Sequence, residues 1–276
     1  MLVGAQAGAL LGRYSWPQAV PLSSATRWPR GVDTFDVTIS AVAERAAAPG
    51  LAVTLRRGLA FFDPDSGALQ RGHEPEQEAP GNRFNDGKCD AQGRFWAGSM
   101  DFDCKAPTGA LYRFDRSGHG TLAFDARFPV TNGPTWSRDG LTMYFTDTAN
   151  RRIHAFDFDP DAGELGRPRE WLRFAPADGY PDGMTTDALG RVWIAHWGGG
   201  CVSCHDPDSA SELARVPLPA SHVTNIALGG PQLTTIYVTT ARSGLSEAQR
   251  ANEPLAGGLF AIETDAVGLP ANQFAG

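Results

Sequence analysis

Asn82-Arg83-Phe84-Asn85-Asp86-Gly87-Lys88 is followed almost at once by Asp90-Ala91-Gln92-Gly93-Arg94-Phe95-Trp96. A polar segment rich in hydrogen-bonding side chains thus runs into a turn-and-strand unit. Three later segments repeat that unit: Ser137-Arg138-Asp139-Gly140-Leu141-Thr142-Met143-Tyr144, Asp187-Ala188-Leu189-Gly190-Arg191-Val192-Trp193 and Gly230-Pro231-Gln232-Leu233-Thr234-Thr235-Ile236-Tyr237. Their aromatics fall at positions 96, 144, 193 and 237, which are 48, 49 and 44 residues apart. A weaker fifth copy is Pro49-Gly50-Leu51-Ala52-Val53-Thr54-Leu55. A second motif follows in register: Phe61-Phe62-Asp63-Pro64-Asp65, Tyr112-Arg113-Phe114-Asp115, Phe156-Asp157-Phe158-Asp159 and Cys204-His205-Asp206-Pro207-Asp208. Each reads as a strand ending in an Asp, Pro or Gly turn.

A strand-rich period of about 45 to 50 residues with aromatic and turn markers in each unit is the pattern of a β-propeller. Apolar residues at helical spacing are nearly absent, which argues against a helical solenoid. The expected fold is all-β, a six-bladed β-propeller in one domain over residues 1–276. Its first blade is divergent or incomplete, because residues 1–35 lack a clean strand-turn-strand pattern. Gly257-Gly258-Leu259-Phe260-Ala261-Ile262 reads as the strand that closes the ring. A β-sandwich or barrel is the alternative.

The 276 residues can bury a substantial core, and 32 Gly with 20 Pro suit many turns between short strands. The net charge of −7 and the lack of a basic cluster argue against nucleic acid and anionic membrane surfaces as partners. No run of about 18 apolar residues marks a membrane span. The start, Met1 to Leu11, lacks a positive n-region and reads as no secretory signal. Cys89, Cys104, Cys201 and Cys204 are too few for a disulfide scaffold, so a reducing cytoplasm is the expected compartment.

Arg83-Phe84-Asn85-Asp86-Gly87-Lys88 is joined by Thr131-Asn132-Gly133-Pro134-Thr135-Trp136, Pro181-Asp182-Gly183-Met184 and Ala195-His196-Trp197-Gly198-Gly199-Gly200. With Val223-Thr224-Asn225-Ile226-Ala227-Leu228-Gly229-Gly230 and Leu255-Ala256-Gly257-Gly258, this ordered set resembles the gluconolactonase/regucalcin (senescence marker protein) family. The likeness covers residues 36–276. Any one motif is an ordinary turn string; four in order at blade spacing are specific. The resemblance implies a six-bladed propeller that binds one divalent cation in its central channel (Ca, Zn, Mn or Mg) and hydrolyses a sugar lactone. It makes Asn132 and Asp182 metal ligands, and Arg83 and Asn85 substrate contacts. Asp103 matches a family position that is usually a substrate-binding Glu, with a reach one methylene shorter. The family's N-terminal Glu ligand, in a Leu-Gly-Glu-Gly-Pro-type motif, has no counterpart: Leu11-Gly12 is followed by Arg13, and no Glu precedes Glu44. That departure leaves a second reading open, a catalytically impaired member that persists as a binding or cation-holding propeller.

The chemistry suits these residue types. Lactone hydrolysis needs a polarised carbonyl, an activated water and a stabilised oxyanion. Oxygen donors from Asp and Asn suit hard cations. Asp182 reads as both ligand and general base, and Arg83 as a fork for lactone or hydroxyl oxygens. Taken alone, Asp182 in Pro-Asp-Gly and Asn132 before Gly133 read as turn residues that cap their own loops. Arg83 could merely pair with Asp86, Lys88 reads as structural, and His196 and Trp197 read as strand residues packed between blades. Cys201-Val202-Ser203-Cys204-His205 fits the string for c-type haem attachment or a thiol redox pair. It occupies a strand slot of the repeat, so free strand thiols are expected, with Cys201 and Ser203 on one face.

Overall fold

The computed structural model describes residues 38–276 and, before them, the three short strands Leu2–Val3, Leu10–Arg13 and Asp33–Thr34. Five antiparallel meanders follow one another along the chain as the blades of an all-β propeller. Four have four strands. The first begins with Val42–Glu44, the second with Asn82–Cys89, the third with Thr131–Trp136 and the fourth with Tyr180–Thr186. The fifth has three, Val223–Gly229, Thr235–Thr240 and Leu259–Glu263. The opening strands of successive blades pack side by side, so they form the centre. The strands at residues 2–34 form a separate small antiparallel sheet. The expectations about the side chains of residues 1–35, including the absent Glu beside Leu11-Gly12, lie outside the described residues.

The repeat has a physical cause. Asp90 is buried and accepts four hydrogen bonds: Oδ1 from the Gln92 and Arg94 N–H groups, Oδ2 from Arg94 Nε at 2.6 Å and Trp96 Nε1 at 2.9 Å. Asp187 makes the same set with Leu189, Arg191 and Trp193. One carboxylate therefore closes the turn, neutralises an arginine and satisfies the indole of a core tryptophan. The second motif is a shared Asx turn: Asp63, Asp115, Asp159 and Asp206 each accept the N–H two residues on. Between blades, Trp96 packs edge-on to Phe158 and Trp171 packs edge-on to His205.

Leu259–Glu263 does not itself close the ring. It pairs with Thr235–Thr240 inside its own blade. The chain end reaches further: Phe274 is fully buried and exchanges backbone hydrogen bonds with Glu44 and Ala46 beside the first blade's opening strand.

Candidate active site

Asn-Asp-Gly and Pro-Asp-Gly turn out not to be turns. Both lie inside opening strands, and four of these strands break register at the motif: between Phe84 and Gly87, between Asn132 and Thr135, between Pro181 and Met184, and between Val223 and Asn225. An irregularity of this kind bends the strand and re-aims a side chain that regular alternation would place elsewhere. The close approach of the strands also demands small residues. A Cβ on Gly183 would lie 2.2 Å from Asn225 Oδ1, so a side chain there would displace Asn225 from its bond to Asp86.

The re-aimed side chains form one directed chain. Arg83 Nη1 donates to Asn85 Oδ1 at 2.8 Å. Asn85 Nδ2 donates to the Thr131 carbonyl at 2.7 Å and to Asn132 Oδ1 at 2.9 Å. Asn132 Nδ2 donates to Thr148 Oγ1 at 2.9 Å, and that hydroxyl donates to the Pro181 carbonyl at 2.9 Å. Asn85, Asn132 and Asp182 are all buried. The chain thus crosses three blades and ends one residue from Asp182.

Asp86 links three blades at the centre. Its carboxylate accepts from the Gly87 N–H, from the Gly133 N–H at 3.1 Å and from Asn225 Nδ2 at 3.3 Å. Arg83 therefore pairs with Asn85 and not with Asp86. Lys88 Nζ donates to the Met184 carbonyl at 2.9 Å, tying the second blade to the fourth. Burial raises the Asp86 carboxyl and lowers the Lys88 amine, and the two charges oppose those shifts by attracting each other. Asp182 is raised well above the ordinary carboxylate range, first by burial and then by the Asp86 charge; the Gly183 N–H and Arg83 pull it back. Burial also lowers the Arg83 guanidinium.

Asp103 stands apart from this network, on the exposed turn after strand Phe95–Asp101. Its neighbour Phe102 is half exposed and lies over the Arg83 guanidinium, 5.8 Å from ring centroid to Cζ. His196 is buried and stacks on Phe174 at 4.3 Å, and Trp197 stacks on His222 at 4.1 Å. Cys201 and Cys204 are free, buried and on one strand. A surface cavity of about 430 Å³, lined by residues such as Gly199, Leu218, Ser221 and Glu253, shares no residue with the central network.

The donor chemistry at the centre fits a hard divalent cation. Asn132 Oδ1 uses one lone pair on Asn85 and keeps a second. Asp182 is a buried carboxylate whose charge is costly without a compensating cation. Among the described residues, no three His, Cys, Asp or Glu side chains are grouped as a metal cluster.

Sequence reasoning missed Asp86, Asn225 and Thr148 as parts of the network, and read Lys88 as structural, in keeping with its bond to the Met184 carbonyl. Asp86 and Asn225 sit in quoted motifs but look like turn residues. Thr148, in Asp147-Thr148-Ala149-Asn150, carries no motif signal.

A propeller with a polar centre built from its opening strands is a class shared by many binding proteins and enzymes. The comparisons narrow it. Residues 21–242 match the SMP-30/Gluconolactonase/LRE-like region, and the chain belongs to that family. It is 37% identical to the L-arabinolactonase of Azospirillum brasilense over 268 residues, 93% of this chain and 87% of that protein. It is 34% identical to Sus scrofa regucalcin over 250 residues, 88% of this chain and 83% of that protein. The crystal structure of a calcium-binding protein, regucalcin, from Agrobacterium tumefaciens superposes with a TM-score of 0.83 at 29% identity, covering 88% of this chain and 81% of that one. The match from residue 21 begins ahead of the region in which family motifs are legible in the sequence.

Proposed function

We propose that this protein hydrolyses a sugar lactone, an aldonolactone, to its aldonic acid, using a divalent cation held by Asn132 and Asp182. The observation that carries this reading is the convergence of Arg83, Asn85 and Asn132 in one hydrogen-bonded chain that ends beside the buried Asp182. Kinship with an L-arabinolactonase supports the substrate class. When bound, the cation polarises the lactone carbonyl and offsets negative charge on its oxygen. The protein's own groups do the rest. Arg83 uses Nη1 on Phe84 and Asn85, which leaves the rest of its fork for lactone or hydroxyl oxygens. Asn85 has both N–H groups engaged inside the protein and holds the Arg83 guanidinium through Oδ1, so it places that fork against the substrate. Asp182 takes a proton from the attacking water as its oxygen bonds to the carbonyl carbon. The ring C–O bond then breaks, and Asp182 returns the proton to the departing ring oxygen. Asp103, on the loop above Arg83, supplies a carboxylate for sugar hydroxyls.

The same reading takes the small sheet of residues 2–34 as the remainder of a sixth blade in one domain over 1–276. Arg13 after Leu11-Gly12 favours a second reading, a cation-holding member with impaired catalysis, because one anionic ligand is missing from the sequence. The experiment that separates them is proton release from arabinono-, glucono- and xylonolactone above the spontaneous rate, across Ca²⁺, Mn²⁺, Zn²⁺ and Mg²⁺ concentrations. The lactonase reading expects cation-dependent turnover that Asp182→Ala abolishes. Cation binding without turnover assigns the impaired member, and metal-independent turnover or an active Asp182→Ala variant overturns the mechanism.

A further inference from the structure

We infer that Thr148 is a positioning residue of this site: its hydroxyl fixes which way the Asn132 amide faces and ties that amide to the backbone beside Asp182. The inference rests on the reading of Asn132 Oδ1 as a cation ligand, and it comes from the direction of each hydrogen bond.

Side-chain amides can be turned over without changing their shape, so the orientation of Asn85 and Asn132 has to be decided by their partners. Here both ends of the chain are unambiguous. Arg83 can only donate, so Asn85 must present Oδ1 to it and Nδ2 to Asn132. At the other end the Pro181 carbonyl can only accept, so the single Thr148 hydroxyl proton points there. Toward Asn132, Thr148 can then only accept, which requires Nδ2 on that side and Oδ1 on the side of Asn85. The two ends agree on one polarity, and Asn132 Oδ1 is left facing the centre with a free lone pair.

Thr148 is well placed for this. It is buried, and its backbone is held on both sides, N–H to the Val130 carbonyl at 3.1 Å and carbonyl from the Arg151 N–H at 2.9 Å. Its hydroxyl therefore does not wander. Without it, Asn132 Nδ2 and the Pro181 carbonyl both lose a partner, and the amide is held from the Asn85 end alone. Groups that orient a ligand in this way typically affect metal affinity by about 10–100-fold.

The test is calorimetric titration of Mn²⁺ into the full chain and into Thr148→Val, Thr148→Ala and Thr148→Ser. Val keeps the branched shape, Ala serves if Val does not fold, and Ser restores the hydroxyl. The expected result is about 10–100-fold weaker Mn²⁺ binding in Val and Ala, with Ser close to the parent. A second readout needs no metal: hydrogen exchange of the Asn132 side-chain amide, followed by NMR. It should be slow in the parent and in Ser and fast in Val. The Asn82 amide, held by Glu76 at 2.9 Å and by the Thr108 carbonyl, should be unchanged and reports on the fold. Parent-like Mn²⁺ affinity in Val, or unchanged Asn132 exchange, overturns the inference. If the parent itself takes up no Mn²⁺, the cation reading fails, and amide exchange alone decides the role of Thr148.

Discussion

Asn85 Nδ2 donates to Asn132 Oδ1 at 2.9 Å, joining the opening strands of two neighbouring blades by side chains alone. The bond exists because both strands break register at these residues. Regular pleating would send alternate residues to opposite faces and leave the two amides no common direction.

Replacing Asn85 by Asp tests that link with almost no change of shape. An ionised carboxylate cannot donate, so the Thr131 carbonyl and Asn132 Oδ1 both lose their donor in a buried place. The expected loss is about 1–3 kcal/mol for each buried acceptor left unsatisfied, offset in part by a stronger bond to Arg83. Urea denaturation measures it. A midpoint equal to that of the parent would show that the link adds nothing to stability.

The paired aspartate clamps should be unequal. Asp90→Ala and Asp187→Ala each remove four hydrogen bonds and leave an arginine without its carboxylate. Arg94 has 14% of its side chain exposed and Arg191 29%, so water can replace the lost partner more readily at Arg191. Both variants should lose at least about 2 kcal/mol, with Asp90→Ala the worse. Thermal melts of the two, side by side, check the order.

The contribution of His196 and His205 to stability should fall on mild acidification. His196 is buried against Phe174, and burial lowers its imidazole to about 4 from the ordinary 6.5; His205 is lowered in the same direction. The unfolded chain therefore binds more protons than the folded one between these values. Its stability is full above pH 6.5 and is lost as pH drops toward 4, by up to about 3 kcal/mol for His196. His196→Phe, which keeps a ring on Phe174, should flatten the dependence. Urea midpoints from pH 7.5 to 4.5 measure it, and an unchanged slope in the variant would assign the effect elsewhere.

The sequence by itself determined the blades. The spacing of Trp96, Tyr144, Trp193 and Tyr237, and the Asp-x-x-Gly-Arg-x-Trp string at Asp90 and Asp187, are local signals because one carboxylate satisfies a turn, an arginine and an indole within seven residues. It also named Arg83, Asn85, Asn132 and Asp182 as a set through family likeness. What only the tertiary structure decided is how those residues meet. Asn-Asp-Gly and Pro-Asp-Gly read as turns in one dimension, since Asn, Asp and Gly favour turns wherever chain direction is free to change. In the folded chain they sit in the opening strands of adjacent blades, where register breaks re-aim the polar side chains and Gly183 leaves room for Asn225. Thr148, Asp86 and Lys88 acquire their partners 33, 47 and 96 residues away, contacts that no local pattern encodes.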